Sequence, residues 1–299
     1  MLQKTTIIIN PISGNQRKRE ENIRLVHRFA ARHRVHDIVE TRKRGDAAEF
    51  SRAAVKGGQE MVVAVGGDGT INEVASELVD TDVCLGIVPL GSGNGLARSI
   101  YLPRNVEEAC QILHDGRVAA IDVGKVNARY FFLIAGVGFD AHVGLSFENH
   151  SKRGPLAYFY LAAREFFSYR PEALTLDTGT GVIEEAPFVV AIANGRQYGN
   201  NALVAPGAKL DDGLLNVLVV HALPWWRLPV MLSRLFSGAV RRVPGTSFCK
   251  TNTVVIQRKK ESWVNVDGEI CLEAPELNIS ILPKSLRIMT PPNIPSLVA

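Results

Sequence analysis

Three glycine-rich segments carry residue types suited to holding phosphate. Gly66-Gly67-Asp68-Gly69-Thr70 follows the apolar run Met61–Val65 and leads into a helical pattern. Glycine turns with positive φ and lets an anion approach without a Cβ in the way. The N–H groups of a helix start, with the helix dipole, then favour a phosphate. Asp68 is out of place in a pure anion cradle, because a carboxylate repels phosphate. It makes sense if it holds Mg²⁺ or handles a proton during phosphoryl transfer; a tight turn with a surface Asp is the plain alternative. Asn10-Pro11-Ile12-Ser13-Gly14-Asn15 and Gly91-Ser92-Gly93-Asn94-Gly95 also follow apolar runs, Thr5–Ile9 and Leu85–Leu90. Nine of the 26 glycines lie between Gly57 and Gly95, so the enrichment is local. Loops after parallel strands converge at the carboxyl edge of a sheet, where ligands bind. Three such loops together point to nucleotide phosphates.

Two acidic turns stand out in the second half. Lys209-Leu210-Asp211-Asp212-Gly213-Leu214 puts two carboxylates before a strand-like run. Asx-Gly pairs commonly make plain turns; the functional reading is a Mg²⁺ or Ca²⁺ site of one carboxylate with backbone carbonyls. Asp267-Gly268-Glu269 separates Trp263–Val266 from Ile270–Leu272. It reads either as a hairpin turn or as a general base beside a hydroxyl to be phosphorylated.

Absences narrow the chemistry. There is no GxxxxGK[ST], no GxGxxG after the first strand, no HExxH and no GxSxG elbow. P-loop, dinucleotide redox, zincin and nucleophile-elbow readings therefore lack their phosphate, metal or nucleophile geometry. Cys84, Cys110, Cys249 and Cys271 show no CxxC pairing, so core or surface thiols in a reducing compartment are expected.

The elements that must position these residues follow two rhythms. Up to about residue 121, apolar strands alternate with helical stripes such as Ile71, Val74, Ala75 and Leu78. Asp46 with Glu49, Thr70 with Glu73 and Asn105 with Glu108 read as helix starts. Met61–Val65 does not alternate, as in a strand buried on both faces of a parallel sheet. After Val123 the runs Phe131–Val137, Phe188–Ala193, Leu214–Val220, Thr253–Gln257, Trp263–Val266 and Leu277–Leu282 read as strands, with helices at Pro155–Ser168 and Trp225–Ser237. The expectation is an α/β N-terminal domain, a parallel sheet flanked by helices, and a C-terminal antiparallel β-sandwich. At 299 residues, 46% hydrophobic and 21% charged, two domains with ample cores are expected. The net charge of +4 does not favour nucleic acid. The start lacks the apolar stretch of a secretory signal and no run suits a spanning helix, so a cytoplasmic protein is expected.

Together NPISGN at 10–15, GGDGTINEV at 66–74, PLGSGNGLA at 89–97, APGAKLDDG at 205–213 and VDGE at 266–269 resemble the soluble diacylglycerol kinases, bacterial lipid kinases related to sphingosine kinases. NAD kinases and phosphofructokinases look similar at GGDGT, but are not expected to carry the KLDDG and DGE segments. The resemblance implies an ATP-binding domain of NAD kinase or phosphofructokinase type over residues 1–121, with 286–299 returning to it through Leu286–Met289. It implies a β-sandwich lipid-substrate domain over 122–285, with ATP and substrate meeting in the cleft. By the family pattern Asn10, Thr41, Gly66, Gly67, Asp68, Gly69, Thr70, Ile71, Asn72 and Ser92 bind ATP. Lys209 and Leu214 offer carbonyls, and Asp212 its carboxylate, to a structural Mg²⁺. Glu269 is the proton acceptor with Asp267 beside it, and Asp68 links a catalytic Mg²⁺ to the phosphates. The acceptor implied is a lipid hydroxyl at a membrane surface, diacylglycerol giving phosphatidic acid, with a homodimer as a permitted assembly. Ser92 and Gly95 stand where many bacterial members have Thr and Asp; PLGSGNGLA looks closer to the sphingosine kinase version, which keeps a sphingoid base open as acceptor. A soluble acceptor such as NAD, and a nucleotide sensor without turnover, are the other readings.

Trp225, Trp226, Leu228, Val230, Met231, Leu232, Leu235 and Phe236 crowd beside Arg227, Arg234 and Arg241-Arg242. Core packing is one explanation; a face on a membrane, or the lining of an acyl cleft, is the other.

Overall fold

The computed structural model describes residues 2, 4–148, 155–197, 202–221 and 224–293. The chain divides into two compact units, one of residues 1–123 and 283–299, the other of residues 124–282.

The first unit is built as strand–helix repeats: β1 (Thr5–Ile9), α1 (Arg19–His33), β2 (Asp37–Glu40), α2 (Asp46–Lys56), β3 (Met61–Gly66), α3 (Asp68–Leu78), β4 (Cys84–Pro89), α4 (Gly95–Ser99), α5 (Val106–Asp115) and β5 (Arg117–Val126). Strands β2, β1, β3 and β4 pair side by side in parallel. β1, β3 and β4 are buried at every position, which is why their sequences run apolar without alternation. Ile7, Ile9, Val63 and Val65 join Val26 and Ala30 of α1 and Ala109 and Leu113 of α5 in one core. Their neighbours Ile8, Val62 and Ala64, also buried, face the other way by strand alternation. α2 and α3 pack together, with Ser51 Oγ donating to the Val74 carbonyl.

The second unit continues with β6 (Arg129–Phe131), β7 (Ile134–Gly138), α6 (Phe139–Glu148), α7 (Pro155–Phe166), β8 (Leu174–Asp177), β9 (Val182–Glu185), β10 (Val189–Ala193), β11 (Leu215–Val220), a 3₁₀ turn at Trp225–Arg227, α8 (Leu228–Phe236), a second at Val240–Arg242, β12 (Thr246–Thr251), β13 (Thr253–Arg258), β14 (Ser262–Val266), β15 (Glu269–Glu273) and β16 (Glu276–Thr290). One antiparallel sheet runs β12-β11-β10-β7-β14-β15. In the other β13 lies between β16 and β8, which pairs β9, again antiparallel. Val137, Val190, Ile192, Val217 and Val264 of the first sheet meet Leu176, Val254, Ile256, Leu277 and Ile279 of the second in one core. The fold class is thus the expected one, an α/β unit followed by an antiparallel sandwich.

β16 leaves the second unit and enters the first, where Ile288 pairs in parallel with Leu85. Within the first unit the buried Asp122 carboxylate accepts the Lys284 N–H at 2.8 Å, fixing the return next to the outgoing strand. All four cysteines are free thiols, and burial pushes those of Cys84 and Cys110 up to about 12, so they stay protonated and unreactive. Among the described residues no helix is long and apolar enough to cross a membrane.

Several local expectations need correction. α3 begins at Asp68 with Gly67 as N-cap and no side-chain cap, so Thr70 lies inside the first turn. α2 begins at Asp46 after Gly45 at φ 92, and the Asp46 carboxylate accepts the Arg42 and Lys43 N–H groups behind it instead of capping its own helix. Asn105 does cap α5, accepting from Glu107 and Glu108. The run read as one strand over Phe131–Val137 is two, β6 and β7, and α6 was not anticipated.

Candidate active site

The loops after β1, β2, β3 and β4 all leave the same edge of the parallel sheet and are tied to one another. Asn10 Nδ2 donates to Thr70 Oγ1 at 3.0 Å, joining the first loop to the third. A Cβ on Gly14, at φ 86, would stand 2.8 Å from the Leu90 carbonyl oxygen, so the first loop also rests on the fourth. A Cβ on Gly91 would stand 2.8 Å from the Gly67 Cα, and one on Gly66 would strike Thr70. At these crossings only glycine fits. The Gly45 N–H donates to Glu73 Oε1 at 3.0 Å, fastening the loop after β2 to α3. Thr41 is buried at the start of that loop, its N–H donating to the Ile9 carbonyl at 2.9 Å. Beside it the Arg42 N–H, and then that of Lys43, hold the Asp46 carboxyl below its ordinary range.

Asp68 is the clasp between two of these loops. Its Oδ2 accepts the Asn94 N–H at 2.8 Å and its Oδ1 the Gly95 N–H at 2.7 Å. A carboxylate beside a phosphate cradle is explained by this: part of its charge is met by backbone donors of the neighbouring loop. Gly93 passes so close that a Cβ there would lie 2.6 Å from Asp68 Oδ2. Sequence reasoning missed Asn94. It is 2% exposed, adopts φ 51, and donates from Nδ2 to the Gly91 carbonyl at 2.7 Å while its Oδ1 has no hydrogen-bond partner. The Asn94-Gly95 dipeptide was the available signal, since Asn tolerates the left-handed region.

The cradle fits a phosphate. The first N–H groups of α3 have no intrahelical acceptor, Gly67 gives them no side-chain cap, and the space where a Cβ of Gly69 would go is open to beyond 4 Å. Ile71 is buried and its N–H donates to the Gly67 carbonyl at 3.0 Å as the first bond of α3; Asn72 accepts from Ser76 Oγ at 3.4 Å, and Ser92 is exposed in the loop after β4.

In the second unit Val266-Asp267-Gly268-Glu269 is a two-residue hairpin, with Asp267 at φ 51 and Gly268 at φ 90. Positive φ at both central residues marks a type I′ turn, for which Asp-Gly is a favoured pair. The Asp267 carboxylate helps shape the sheet: it accepts the N–H groups of Phe132, Leu133 and Ile134 at 2.6, 2.9 and 2.8 Å. This breaks the strand between β6 and β7. Asp267, expected among the catalytic carboxylates, thus has both carboxylate oxygens bonded to backbone N–H groups of its own unit. Glu269 opens β15, half-buried, with its register fixed opposite Val266.

The Lys209–Leu214 turn precedes β11. Asp212 Oδ1 accepts the Leu214 N–H at 3.1 Å, and Oδ2 pairs with Lys250 Nζ at 2.8 Å. The cation beside Asp212 is thus an ammonium, and the carboxylate expected to hold a structural Mg²⁺ already has its counter-charge. A divalent ion on the expected donor set Lys209, Asp212 and Leu214 would have to displace the Lys250 ammonium, whose side chain is 37% exposed. Among the described residues no group of three or more His, Cys, Asp or Glu could hold a metal; a site of one carboxylate with backbone carbonyls is of another kind. Lys250 lies far from the turn in sequence, on β12, so no motif could have revealed it.

The diacylglycerol kinase catalytic domain model matches residues 4–126, and that of the YegS C-terminal NAD kinase β-sandwich-like domain matches residues 134–290. The chain belongs to the diacylglycerol kinase-like lipid kinases. Two proteins named "Probable lipid kinase YegS-like", from Yersinia pestis (strain Pestoides F) and Yersinia pseudotuberculosis serotype O:1b (strain IP 31758), are each 31% identical over 270 residues, covering 86% of this chain and 88% of theirs. A crystal structure of a diacylglycerol kinase from Bacillus anthracis str. Sterne shares the fold, with a TM-score of 0.74 over 97% of both chains at 21% identity. This lipid kinase is accordingly a phosphotransferase with an alcohol acceptor, and membership in a kinase family implies ATP use.

Proposed function

We propose that this lipid kinase transfers the γ-phosphoryl group of ATP to the hydroxyl of diacylglycerol, giving phosphatidic acid. The observation that carries the reading is the cradle at the carboxyl edge of the parallel sheet, with a side-chain-free helix start at Gly67–Thr70 clasped to the fourth loop by Asp68. Such a rim of peptide N–H groups suits a triphosphate, and catalysis of phosphoryl transfer is mainly positioning and charge stabilisation.

The roles follow from the chemistry of each group. The amides of Gly67 to Thr70 and the loops of Asn10, Thr41 and Ser92 receive the nucleotide. Mg²⁺, when bound with ATP, supplies charge neutralisation on the phosphates. Asp68 holds the third and fourth loops in register and leaves the acceptor's proton to Glu269, whose register at the start of β15 is set by the turn that Asp267 organises. The PLGSGNGLA loop favours one competitor, a sphingoid base.

Incubation with γ-labelled ATP and Mg²⁺ tests the reading, using diacylglycerol, sphingosine, NAD or no acceptor. Label is expected in the organic phase with diacylglycerol. Label only with sphingosine moves the acceptor, label only in NAD removes the lipid reading, and no acceptor-dependent label removes the kinase.

A further inference from the structure

The crowd of apolar and basic residues at 225–242 divides by face. Taking α8 with the turn before it at 100° per residue, the exposed side chains Trp226, Arg227, Pro229, Val230, Ser233, Arg234, Phe236 and Ser237 fall on one half of the surface. Met231, Leu232 and Leu235 occupy the other half and are partly covered, and the Leu235 carbonyl accepts the Leu203 N–H at 2.9 Å. The core-packing explanation thus holds for one side of the helix only. The side chains of Trp225 and Leu228 lie outside the described ones.

The outward half is unusually apolar. Trp226, Val230 and Phe236 are 62%, 50% and 41% exposed. Arg227 and Arg234 edge this face. Past the helix, the exposed Arg241 and Arg242 line a hollow of about 430 Å³ with Pro206, Gly207, Ser237, Gly238 and Ala239. Arg241 lies over the Phe248 ring at 3.6 Å, and Arg227 Nη1 donates to the Pro244 carbonyl at 3.4 Å, so two of the four guanidinium groups are held in place. No Asp or Glu occurs from Gly213 to Lys260, a stretch with eight Lys and Arg. The nearest acids before it in sequence are Asp211 and Asp212, and Asp212 is paired with Lys250.

An exposed Trp and Phe in a rim of Arg has the chemistry of a bilayer interface: rings settle at the headgroup level and guanidinium groups pair with lipid phosphates. We infer that α8 with its two flanking 3₁₀ turns is the surface by which this chain docks on an anionic phospholipid bilayer. Trp226, Val230 and Phe236 enter the headgroup boundary, and Arg227, Arg234, Arg241 and Arg242 contact anionic headgroups. The inference is independent of the acceptor named above, because docking is scored without ATP.

Co-sedimentation of the full chain with phosphatidylcholine vesicles, with and without phosphatidylglycerol, is the test. Binding is expected only with phosphatidylglycerol present, and it should weaken as salt rises. Arg234→Gln with Arg242→Gln should lower the partition coefficient by roughly 30-fold, at about fivefold per Arg near a charged surface. Trp226→Ser with Phe236→Ser should lower it by at least about tenfold. Leu235→Ser, on the inward half, is the contrast and should affect melting more than binding. Should the aromatic pair melt early, Val230→Ser replaces it, since that position is already half in water. Wild-type binding to neutral vesicles as tight as to anionic ones, no binding to either, or undiminished binding by both double variants would overturn the inference. Phosphorylation of a short-chain, water-soluble diacylglycerol in the same samples reports the kinase separately.

Discussion

Asp68 spends both carboxylate oxygens on the neighbouring loop, Oδ2 on the Asn94 N–H at 2.8 Å and Oδ1 on the Gly95 N–H at 2.7 Å. One side chain thereby sets the distance between the loop after β3 and the loop after β4. In Asp68→Asn the new amide NH₂ faces a backbone N–H, donor against donor, which costs about 1–3 kcal/mol for the unsatisfied pair. The expected outcome is a melting temperature lower by several degrees together with a raised KM for ATP. A role confined to metal or proton would leave the melting temperature where it was, so thermal denaturation beside steady-state kinetics separates the two.

Two glycines should behave oppositely. A Cβ at Gly91 meets Asn94 Oδ1 at 2.7 Å and the Gly67 Cα at 2.8 Å, whereas one at Gly69 meets nothing within 4 Å. Gly91→Ala must push two loops apart and should destabilise the fold by about 1–3 kcal/mol, as overpacking does. Gly69→Ala, in the first turn of α3, should keep or gain about 0.5–1 kcal/mol of stability, yet raise the KM for ATP at least tenfold because the methyl takes phosphate space. Equal KM values for Gly69→Ala and wild type would move the triphosphate away from α3.

How much of this was legible in the sequence depended on whether the cause was local. The unbroken apolar runs of β3 and β4 announced buried strands, and the strand read at Leu277–Leu282 lies within β16, where Leu277, Ile279 and Ile281 are buried and Asn278 is exposed. The glycines of the three loops were visible because close approach demands that residue type. What stayed hidden was set by partners distant in sequence. The break between β6 and β7 is made by Asp267, more than 130 positions away. Glu73 looked like half of a capping box and instead reaches Gly45. α6, with the β-branched Val143 and Gly144 in its interior, has too weak a propensity to be read without the tertiary contacts that hold it.

The two carboxylates of the DGE hairpin should separate cleanly. Asp267→Ala strips three backbone donors of their acceptor and puts a residue without a local hydrogen-bonding side chain at φ 51, so it should lower stability by a few kcal/mol. Glu269→Gln keeps size and shape at the first residue of β15 and should leave melting unaltered, while turnover with diacylglycerol falls about 10²–10⁴-fold. A Glu269→Gln enzyme with wild-type turnover at saturating ATP would return the base to another residue.

The Lys250–Asp212 pair makes the sharpest statement about metal. With an ammonium at 2.8 Å from Asp212 Oδ2, the turn at Lys209–Leu214 has no electrostatic need of a divalent ion. The wild-type melting temperature without nucleotide should therefore be the same in Mg²⁺ as in EDTA. Lys250 is only partly buried, and an ion pair of that kind contributes about 0–1 kcal/mol, so Lys250→Met should fold. In that variant the Asp212 carboxylate lacks its counter-charge, and Mg²⁺ at about 100 times its Kd would restore up to roughly 2.7 kcal/mol. A melting temperature that rises with Mg²⁺ in Lys250→Met and not in the wild type is the expected pattern. If the wild type itself loses stability in EDTA, and Asp212→Asn abolishes that loss, then the turn does hold a cation and Lys250 gives way to it.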